Sequence, residues 1–223
     1  MGRVAVFVRD PFCSLDCGQA TADALSPEND CRLIGSVSEL SDSDDLVVYP
    51  GGLGDADKGF RKSMTRDDHQ RVRDYVASGG RYLGICMGAY WAGREYFDLL
   101  DNLDAVQYIK HPGAYRRRSY GTVTPVSWRG ELVEPFFYDG CCFVGEGERV
   151  DVAHYLGFHD RVPAAIIQGR VGAIGPHPES RESWYTDSWR WSYMPEKWHG
   201  GRHHELLRGF ARELMAVDNK SNS

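Results

Sequence analysis

The chain has 223 residues, of which 42% are hydrophobic and 26% are charged, and its formal net charge is −6. These values are ordinary for a soluble globular protein with a well-buried core. The negative charge argues against an extended nucleic-acid surface, and no apolar run approaches the roughly 20 residues of a membrane-spanning helix. We therefore expect neither nucleic acid nor a membrane among its partners.

The amino-terminal half alternates predicted strands and helices. Apolar runs predict strands at 4–8, 32–35, 46–49 and 82–85, and helices are predicted at 19–25 and from Thr65 to the pair Gly79-Gly80. The stretch 53–64, rich in Gly and Asp, is predicted to be a loop. This alternation indicates a parallel sheet with helices on both faces. Ligands of such sheets bind beyond the carboxyl ends of the strands, where the loops at 10–17, 50–53 and 86–88 are expected.

The carboxy-terminal half has a different pattern. Strands are predicted at 122–128, 136–145, 150–156, 164–168 and 171–174, with a hairpin turn at 168–170. Short turns between strands favour an antiparallel extension of the sheet. An amphipathic helix is predicted at 203–217, followed by a polar tail at 218–223. We interpret residues 1–223 as one domain.

Location and cysteine chemistry follow from the same sequence. Residues 1–9 are predicted to form the first strand rather than a secretory signal, so we expect a cytoplasmic location. The cysteines are not spaced like a disulfide scaffold and are expected to be mostly reduced. Cys13 and Cys17 are interpreted as two loop thiols, with a metal-binding or redox pair as the alternative.

Three further segments allow two interpretations each. The run Arg116-Arg117-Arg118 is interpreted as a solvated loop, and the alternative is a holder of a substrate carboxylate or phosphate. The Trp-rich segment 184–198 either packs against the sheet or forms a pocket wall or dimer face. The histidines at 199, 203 and 204 are predicted to lie in a flexible exposed loop, with a metal site as the alternative.

A cysteine lies between the fourth predicted strand and the next helix. The sequence Gly84-Ile85-Cys86-Met87-Gly88 flanks it with small residues, which allow a sharp turn that lifts the side chain out of the backbone. The start of a helix lowers a thiol pKa and offers free N–H groups to an oxyanion. The alternative is a buried structural cysteine in a glycine-rich turn.

A cysteine nucleophile needs a base, and the base needs an orienting group. His177 and Glu179 follow a predicted strand in a segment stiffened by prolines, and they supply both. The N–H groups of Met87 and Gly52 are the candidate oxyanion donors, and Gly51 leaves room for a substrate carbonyl. Alone, His177 or Glu179 would be interpreted as a structural histidine or a solvated carboxylate.

These residues resemble a known family. The chain resembles the class I glutamine amidotransferase superfamily in three motifs that occur in the same order: Tyr49-Pro50-Gly51-Gly52, the Cys86 turn and His177-Pro178-Glu179. The residues within these motifs resemble those of the amidotransferase-like amino-terminal domain of eukaryotic-type biotin–protein ligases. The resemblance covers about 3–180 and is strongest at 46–97. It implies a three-layer flavodoxin-like α/β sandwich with a mostly parallel central sheet and an antiparallel extension in the second half.

The resemblance also implies a Cys86-His177-Glu179 triad with Gly52 and Met87 at the oxyanion. Members that hydrolyse glutamine typically have Gln where this chain has Tyr90, so glutamine is not assigned as the substrate. Tyr90 and Gly51 are kept as candidate substrate-binding residues, with core packing as the alternative for Tyr90. Biotin transfer is not inferred, because the ligase catalytic domain needs a much longer chain.

The function expected from the sequence is a cysteine-dependent, amidotransferase-like hydrolase of a small amide or acyl substrate, without a cofactor or metal. One alternative is a non-catalytic ligand-binding or regulatory module with the same fold. Another is a redox- or aldehyde-responsive thiol protein, with Cys13 or Cys17 as a candidate resolving partner of Cys86. A homodimer or an unknown protein partner is left open.

Overall fold

The computed structural model describes residues 1–157, 161–187 and 192–217. The strands are β1 (Gly2–Phe7), β2 (Asn29–Ile34), β3 (Leu46–Tyr49), β4 (Arg81–Ile85), β5 (Leu103–Gln107), β6 (Thr122–Val123), β7 (Val126–Trp128), β8 (Glu131–Val133), β9 (Phe136–Phe137), β10 (Cys141–Gly145), β11 (Val150–Leu156), β12 (Arg161–Gln168) and β13 (Val171–Ile174). The α-helices are α1 (Leu15–Leu25), α2 (Ala56–Ser63), α3 (Arg66–Ala77), α4 (Met87–Trp91), α5 (Ser183–Thr186) and α6 (His203–Met215). The predicted tail at 218–223 lies outside the described residues.

The central sheet has nine strands in the order β2-β1-β3-β4-β13-β12-β11-β7-β8. The first five are mutually parallel, and β12, β11, β7 and β8 continue the sheet in antiparallel pairing. Two small antiparallel pairs, β5 with β10 and β6 with β9, lie outside this sheet. The expected α/β class, with a parallel sheet and an antiparallel extension, is confirmed.

Helices cover both faces of the sheet, because its central strands are apolar on both sides. All four residues of β3 are buried, as a parallel strand between two helical layers requires. One face packs against α1 and α6 through residues such as Leu25 and Phe210. The other packs against α3 and α4 through residues such as Tyr75 and Trp91. The carboxyl ends of β3, β4 and β13 therefore meet at one edge between the layers.

Several sequence predictions were wrong in detail. The stretch 53–64 is not all loop, because Ala56–Ser63 is the helix α2, whose N-cap Asp55 accepts a hydrogen bond from the Lys58 N–H at 2.8 Å. The predicted strand 136–145 is interrupted at Asp139, whose φ is +53°. The strands β5 and β8 were not predicted. The N-cap Asp55 thus starts a helix in a segment whose Gly and Asp content predicts a loop, and the left-handed backbone at Asp139 ends a strand within an apolar run.

The histidine segment was also predicted wrongly, since His199 and His203 are buried rather than exposed. Their rings stack with centroids 3.9 Å apart, and the His199 ring also contacts Trp198. Within the described parts of the chain, no group of three or more His, Cys, Asp or Glu side chains is arranged to hold a metal ion. Likewise, none of the described helices combines the length and apolarity of a membrane span.

Candidate functional site

Cys86 lies at a sharp turn between β4 and α4. Its backbone has φ +50° and ψ −100°, a conformation that L-residues rarely adopt. Its N–H donates to the Ile174 carbonyl of β13 at 2.8 Å, which fixes the turn to the neighbouring strand. A Cβ on Gly84 would lie only 2.3 Å from the Gly88 carbonyl oxygen, so only glycine lets the strand and the helix approach this closely. The sequence pattern therefore folds into an elbow that presents the thiol at the carboxyl edge of the sheet.

The Cys86 thiol faces an open cavity of about 540 Å³. The side chain is 5% exposed, and its Sγ donates a long hydrogen bond to the Tyr138 carbonyl at 3.6 Å. The cavity is lined by Gly52, Gly54, Asp55, Ala56, Cys86, Met87, Tyr90, Tyr96, Ala105, Gln107, Ser119, Tyr138 and Asp139. The thiol is thus enclosed on the protein side and open toward a space large enough for a small molecule.

His177 follows β13 and is fixed by both its backbone and its ring. Its N–H donates to the Phe136 carbonyl at 2.8 Å, and its imidazole contacts the Trp184 ring edge-on at 5.5 Å. The ring atom Nδ1 lies 2.8 Å from Oε1 of Glu179. Glu179 is completely buried, and its other oxygen, Oε2, has no hydrogen-bond partner among the described residues. This pairing leaves the Nε2 side of the ring directed away from Glu179.

The charge state of His177 depends on Cys86 and Glu179 together. Burial is the largest single influence on the pKa of His177 and lowers it. The charges of Glu179 and Cys86 and the hydrogen bonds of both side chains to the ring together outweigh burial and raise the pKa to about 10. The side chains of Cys86, His177 and Glu179 therefore form one contact chain. In this chain the imidazole is held protonated between two groups that carry or develop negative charge.

The glycines after β3 pack against this chain. A Cβ on Gly51 would lie 2.4 Å from Cε1 of His177, and a Cβ on Gly52 would lie 1.5 Å from the Phe12 carbonyl oxygen. Gly51 is buried behind the imidazole, whereas Gly52 and Met87 line the cavity beside Cys86. Close packing against His177 and Phe12 consequently places the backbone of this turn.

Tyr90 lines the cavity one turn after Cys86. Its hydroxyl donates to the Asp139 carbonyl at 3.1 Å, so it joins α4 to the segment that enters β10. Burial raises the pKa of Tyr90, with additional contributions from Cys141, Cys86 and Asp139, so the hydroxyl is neutral at physiological pH. The side chain fills the space beside the thiol as a neutral hydrogen-bonding wall.

Some residues of the site were not identified from the sequence. Tyr138 supplies the carbonyl that meets the thiol, and Asp139 lies beside it with its carboxylate 2.7 Å from Nε2 of Gln107. Trp184, for whose segment a pocket wall was one of the interpretations, covers the imidazole, and its Nε1 donates to Asp16 at 2.8 Å. These residues carry no recognisable motif, because their roles arise where β5, β10 and the loop after β13 meet. Trp189 and Trp191 of the Trp-rich segment lie outside the described residues.

The neighbouring cysteines and arginines have other surroundings. Cys13 and Cys17 are close enough to Cys86 to interact with it electrostatically, but burial is the main cause that raises the pKa of both thiols. Arg116 donates to the Val123 carbonyl and Arg117 to the His111 carbonyl. The arginine run contributes none of the residues that line the cavity.

Comparison with known proteins agrees with this architecture. Residues 40–107 match the family model described as "Biotin-protein ligase, N terminal". An uncharacterized protein of Chlamydia muridarum is 30% identical over 159 residues, which are 60% of this chain and 60% of that protein. The biotin–protein ligase of Schizosaccharomyces pombe is 39% identical over 46 residues, 21% of this chain and 7% of the ligase. The matched regions thus cover less than two thirds of either relative.

Solved structures share the fold over almost the whole chain. PurLQS from Thermotoga maritima has a TM-score of 0.67 at 17% identity and covers 96% of this chain and 100% of its own. A glutamine amidotransferase from the same organism has a TM-score of 0.63 at 13% identity, and the match covers 96% of this chain and 98% of the amidotransferase. At these identities the likeness concerns the fold. The chain thus shares its fold with solved glutamine amidotransferases, and its residues 40–107 are similar to the N-terminal region of biotin–protein ligases.

Proposed function

We propose that the protein is a cysteine-dependent hydrolase of amidotransferase-like type, which acts on a small amide or related acyl compound. The observation that carries the proposal is the contact chain of Cys86, His177 and Glu179 beside the 540 Å³ cavity. A thiol, an imidazole and a buried carboxylate in this order form the arrangement of a nucleophile, its base and the orienting group.

The proposed reaction has two halves. In the first, Cys86 attacks as the thiolate of a thiolate–imidazolium pair, its sulfur forms a bond to the substrate carbonyl carbon, and the protonated His177 gives its proton to the departing amine as the C–N bond breaks. This leaves a thioester on Cys86 and a neutral imidazole. In the second, His177 takes a proton from water as the water oxygen attacks the thioester, and the acid leaves while the thiolate and imidazolium are restored. Glu179 keeps its charge throughout and stabilises the imidazolium.

The oxyanion formed in each half is assigned to the backbone N–H groups of Gly52 and Met87. Both residues line the cavity beside Cys86. No hydrogen bond from either N–H to another backbone group occurs within residues 1–157, 161–187 and 192–217. Backbone donors that are already oriented toward developing charge are among the strongest contributions to acyl transfer. We place this chemistry in the cytoplasm, which the six unpaired cysteines support.

The test is the rate of Cys86 alkylation by iodoacetamide as a function of pH, read by peptide mass spectrometry. Fast labelling that is already at its plateau near pH 7 is expected in the wild type and lost in His177→Ala, because an ordinary thiol is activated only near pH about 8.5. His154→Ala is the matched control, since His154 lies on β11 and pairs with Asp151 outside the site. If the alkylation rate of Cys86 has the pH dependence of an ordinary thiol in both wild type and His177→Ala, the proposal is overturned.

A second candidate is a ligand-binding module without turnover. Tyr90 supports it, because the tyrosine occupies the position of the glutamine typical of glutamine-hydrolysing members and its hydroxyl is bound to the Asp139 carbonyl. This candidate predicts slow alkylation of Cys86 that is insensitive to His177→Ala. The labelling experiment therefore separates the two.

A further inference from the structure

The side chains around the thiol are of one charge type. Among the residues that line the cavity, the ionised groups are the carboxylates of Asp55 and Asp139, and no lysine, arginine or histidine of the described chain is among them. The remaining polar groups include the hydroxyls of Tyr90, Tyr96 and Tyr138. A cavity with carboxylates on its wall and no cation attracts positive charge and repels negative charge.

Both carboxylates are held in place at the cavity wall. The carboxylate of Asp139 lies 2.7 Å from Nε2 of Gln107, and Asp139 directly follows the residue whose carbonyl meets the Cys86 thiol. Asp55 is fixed as the N-cap of α2. In both cases the hydrogen-bond donor is an uncharged amide, so neither of these hydrogen bonds brings a cation to the carboxylate.

The groups behind the wall are also acidic. The hydroxyl of Tyr96 donates to Asp57 at 2.8 Å, and the pKa of Tyr96 is raised by burial and then by Asp57, Asp55 and Glu95. On the opposite side of the thiol, the positive charge of His177 is matched by Glu179.

Basic side chains do occur nearby, in a groove that shares Gly54 and Asp55 with the cavity. Asp55 also borders a separate groove that contains Arg9, Lys58 and Lys62. None of the ion pairs found in the described residues joins Asp55 to these cations. The cations of that groove are therefore not paired with the carboxylate that Asp55 brings to the cavity wall.

We infer that the site selects an amide or acyl substrate that carries a positively charged group, such as an ammonium, and that Asp139 and Asp55 determine this selectivity. The inference rests on the proposed function, because Cys86 is taken as the reacting group. A substrate with a carboxylate or phosphate near the scissile bond is disfavoured by the same charges.

Charged thiol reagents test the inference without turnover. The labelling rates of Cys86 are measured with three methanethiosulfonates: the cationic trimethylammonium-ethyl, the anionic sulfonato-ethyl and the neutral methyl reagent. Cys31, a partly exposed thiol of β2, serves as the internal reference, so that its cation-to-anion rate ratio accounts for the net charge of −6. The ratio at Cys86 is expected to exceed that at Cys31 by at least about tenfold.

Asp139→Asn and Asp55→Asn are each expected to lower this excess by about threefold or more. Asparagine tolerates the left-handed backbone at 139 and caps helices as aspartate does, so both variants keep the local structure. Asp67→Asn, which removes an exposed charge from α3, is the control and leaves the excess unchanged. Equal ratios at Cys86 and Cys31, or an excess that survives both variants, would overturn the inference alone. Failure of the neutral reagent to label Cys86 while it labels Cys31 would overturn the proposed function and the inference with it.

Discussion

Nδ1 of His177 and Oε1 of Glu179 lie 2.8 Å apart in a place that water hardly reaches, since the two residues are 3% and 0% exposed. A buried carboxylate is costly unless it is paired. Because Oε2 of Glu179 has no partner in the described part of the chain, the imidazolium is the main compensation for its charge. The pair therefore links the chemistry of the site to the stability of the fold.

The first prediction concerns stability at alkaline pH. The pKa of His177 is raised in the folded state from 6.5 to about 10. Stabilisation by the imidazolium is thus fully present below pH 6.5 and is lost as the pH rises through about 10. The free energy of unfolding is measured by urea denaturation at pH 6 and pH 9.5 for wild type and His177→Gln. The advantage of the wild type is expected to shrink by on the order of 2–4 kcal/mol over this interval. An advantage that does not change with pH would contradict the assigned pairing.

The second prediction concerns the glycine behind the imidazole. In Gly51→Ala the new methyl group would meet Cε1 of His177 at 2.4 Å, so the ring must leave the position in which it interacts with Cys86 and Glu179. Alkylation of Cys86 at pH 7 is expected to slow at least about tenfold, with a stability cost of about 1–3 kcal/mol.

Gly35→Ala is the matched control for this variant, because a Cβ at Gly35 meets only Glu39 at 3.7 Å. This control should retain both the labelling rate and the stability of the wild type. Unchanged labelling in Gly51→Ala would show that the imidazole position does not govern the thiol.

The third prediction separates backbone strain from thiol reactivity at Cys86. Cys86 has φ +50° and ψ −100°, which costs an L-residue on the order of 1–3 kcal/mol. Cys86→Gly relieves this strain and Cys86→Ala does not, while both remove the thiol. Chemical denaturation should find Cys86→Gly more stable than Cys86→Ala by about 1 kcal/mol, in contrast to the usual destabilising effect of glycine. The reverse order would argue against a strained turn.

The fourth prediction concerns acid stability. Burial is the main cause that lowers the pKa of His199 to about 3 and of His203 to about 4, and nearby positive groups lower both further. The stability that neutral His203 contributes is present above pH 6.5 and is lost as the pH falls through about 4. His203→Phe keeps an aromatic ring next to His199 but takes up no proton, and Nδ1 of His203 has no partner to lose among the described residues.

This variant is expected to gain on the order of 1–2 kcal/mol relative to wild type between pH 7 and pH 5. Thermal or urea denaturation at the two pH values measures the gain. A parallel pH dependence of both proteins would show that His203 is protonated in the folded state at pH 5.

The sequence was sufficient to predict the elements that depend on local pattern. The bounds of β3, β11 and β13 agree with the predicted strands at 46–49, 150–156 and 171–174, and Thr65 caps α3 as its side-chain oxygen suggests. Strand, turn and helix around Cys86 were predicted for the same reason. Each of these signals lies within a few residues of the chain.

Features that depend on distant contacts were not predicted. α2 has little apolar surface of its own and is held by its cap and by Phe60, which packs on Trp91. The burial of His199 depends on the ring of His203 and on Ser180, whose hydroxyl lies 3.2 Å from Nε2 of His199. Asp55 and Asp139 were likewise not predicted to line the cavity, because they come together only when separate loops reach the same edge of the sheet.

The pairing of β4 with β13 sets the order in which the site can assemble during folding. Ile85 is in register with Ile174, so the residues that follow them, Cys86 and His177, come together only when the last strand of the sheet inserts between β4 and β12. The segment that matches the ligase family model, 40–107, contains Cys86 and lacks His177. In a partly synthesised or truncated chain without β13, Cys86 therefore has neither His177 nor Glu179 beside it, and the arrangement on which the proposed function rests forms only with the completed sheet.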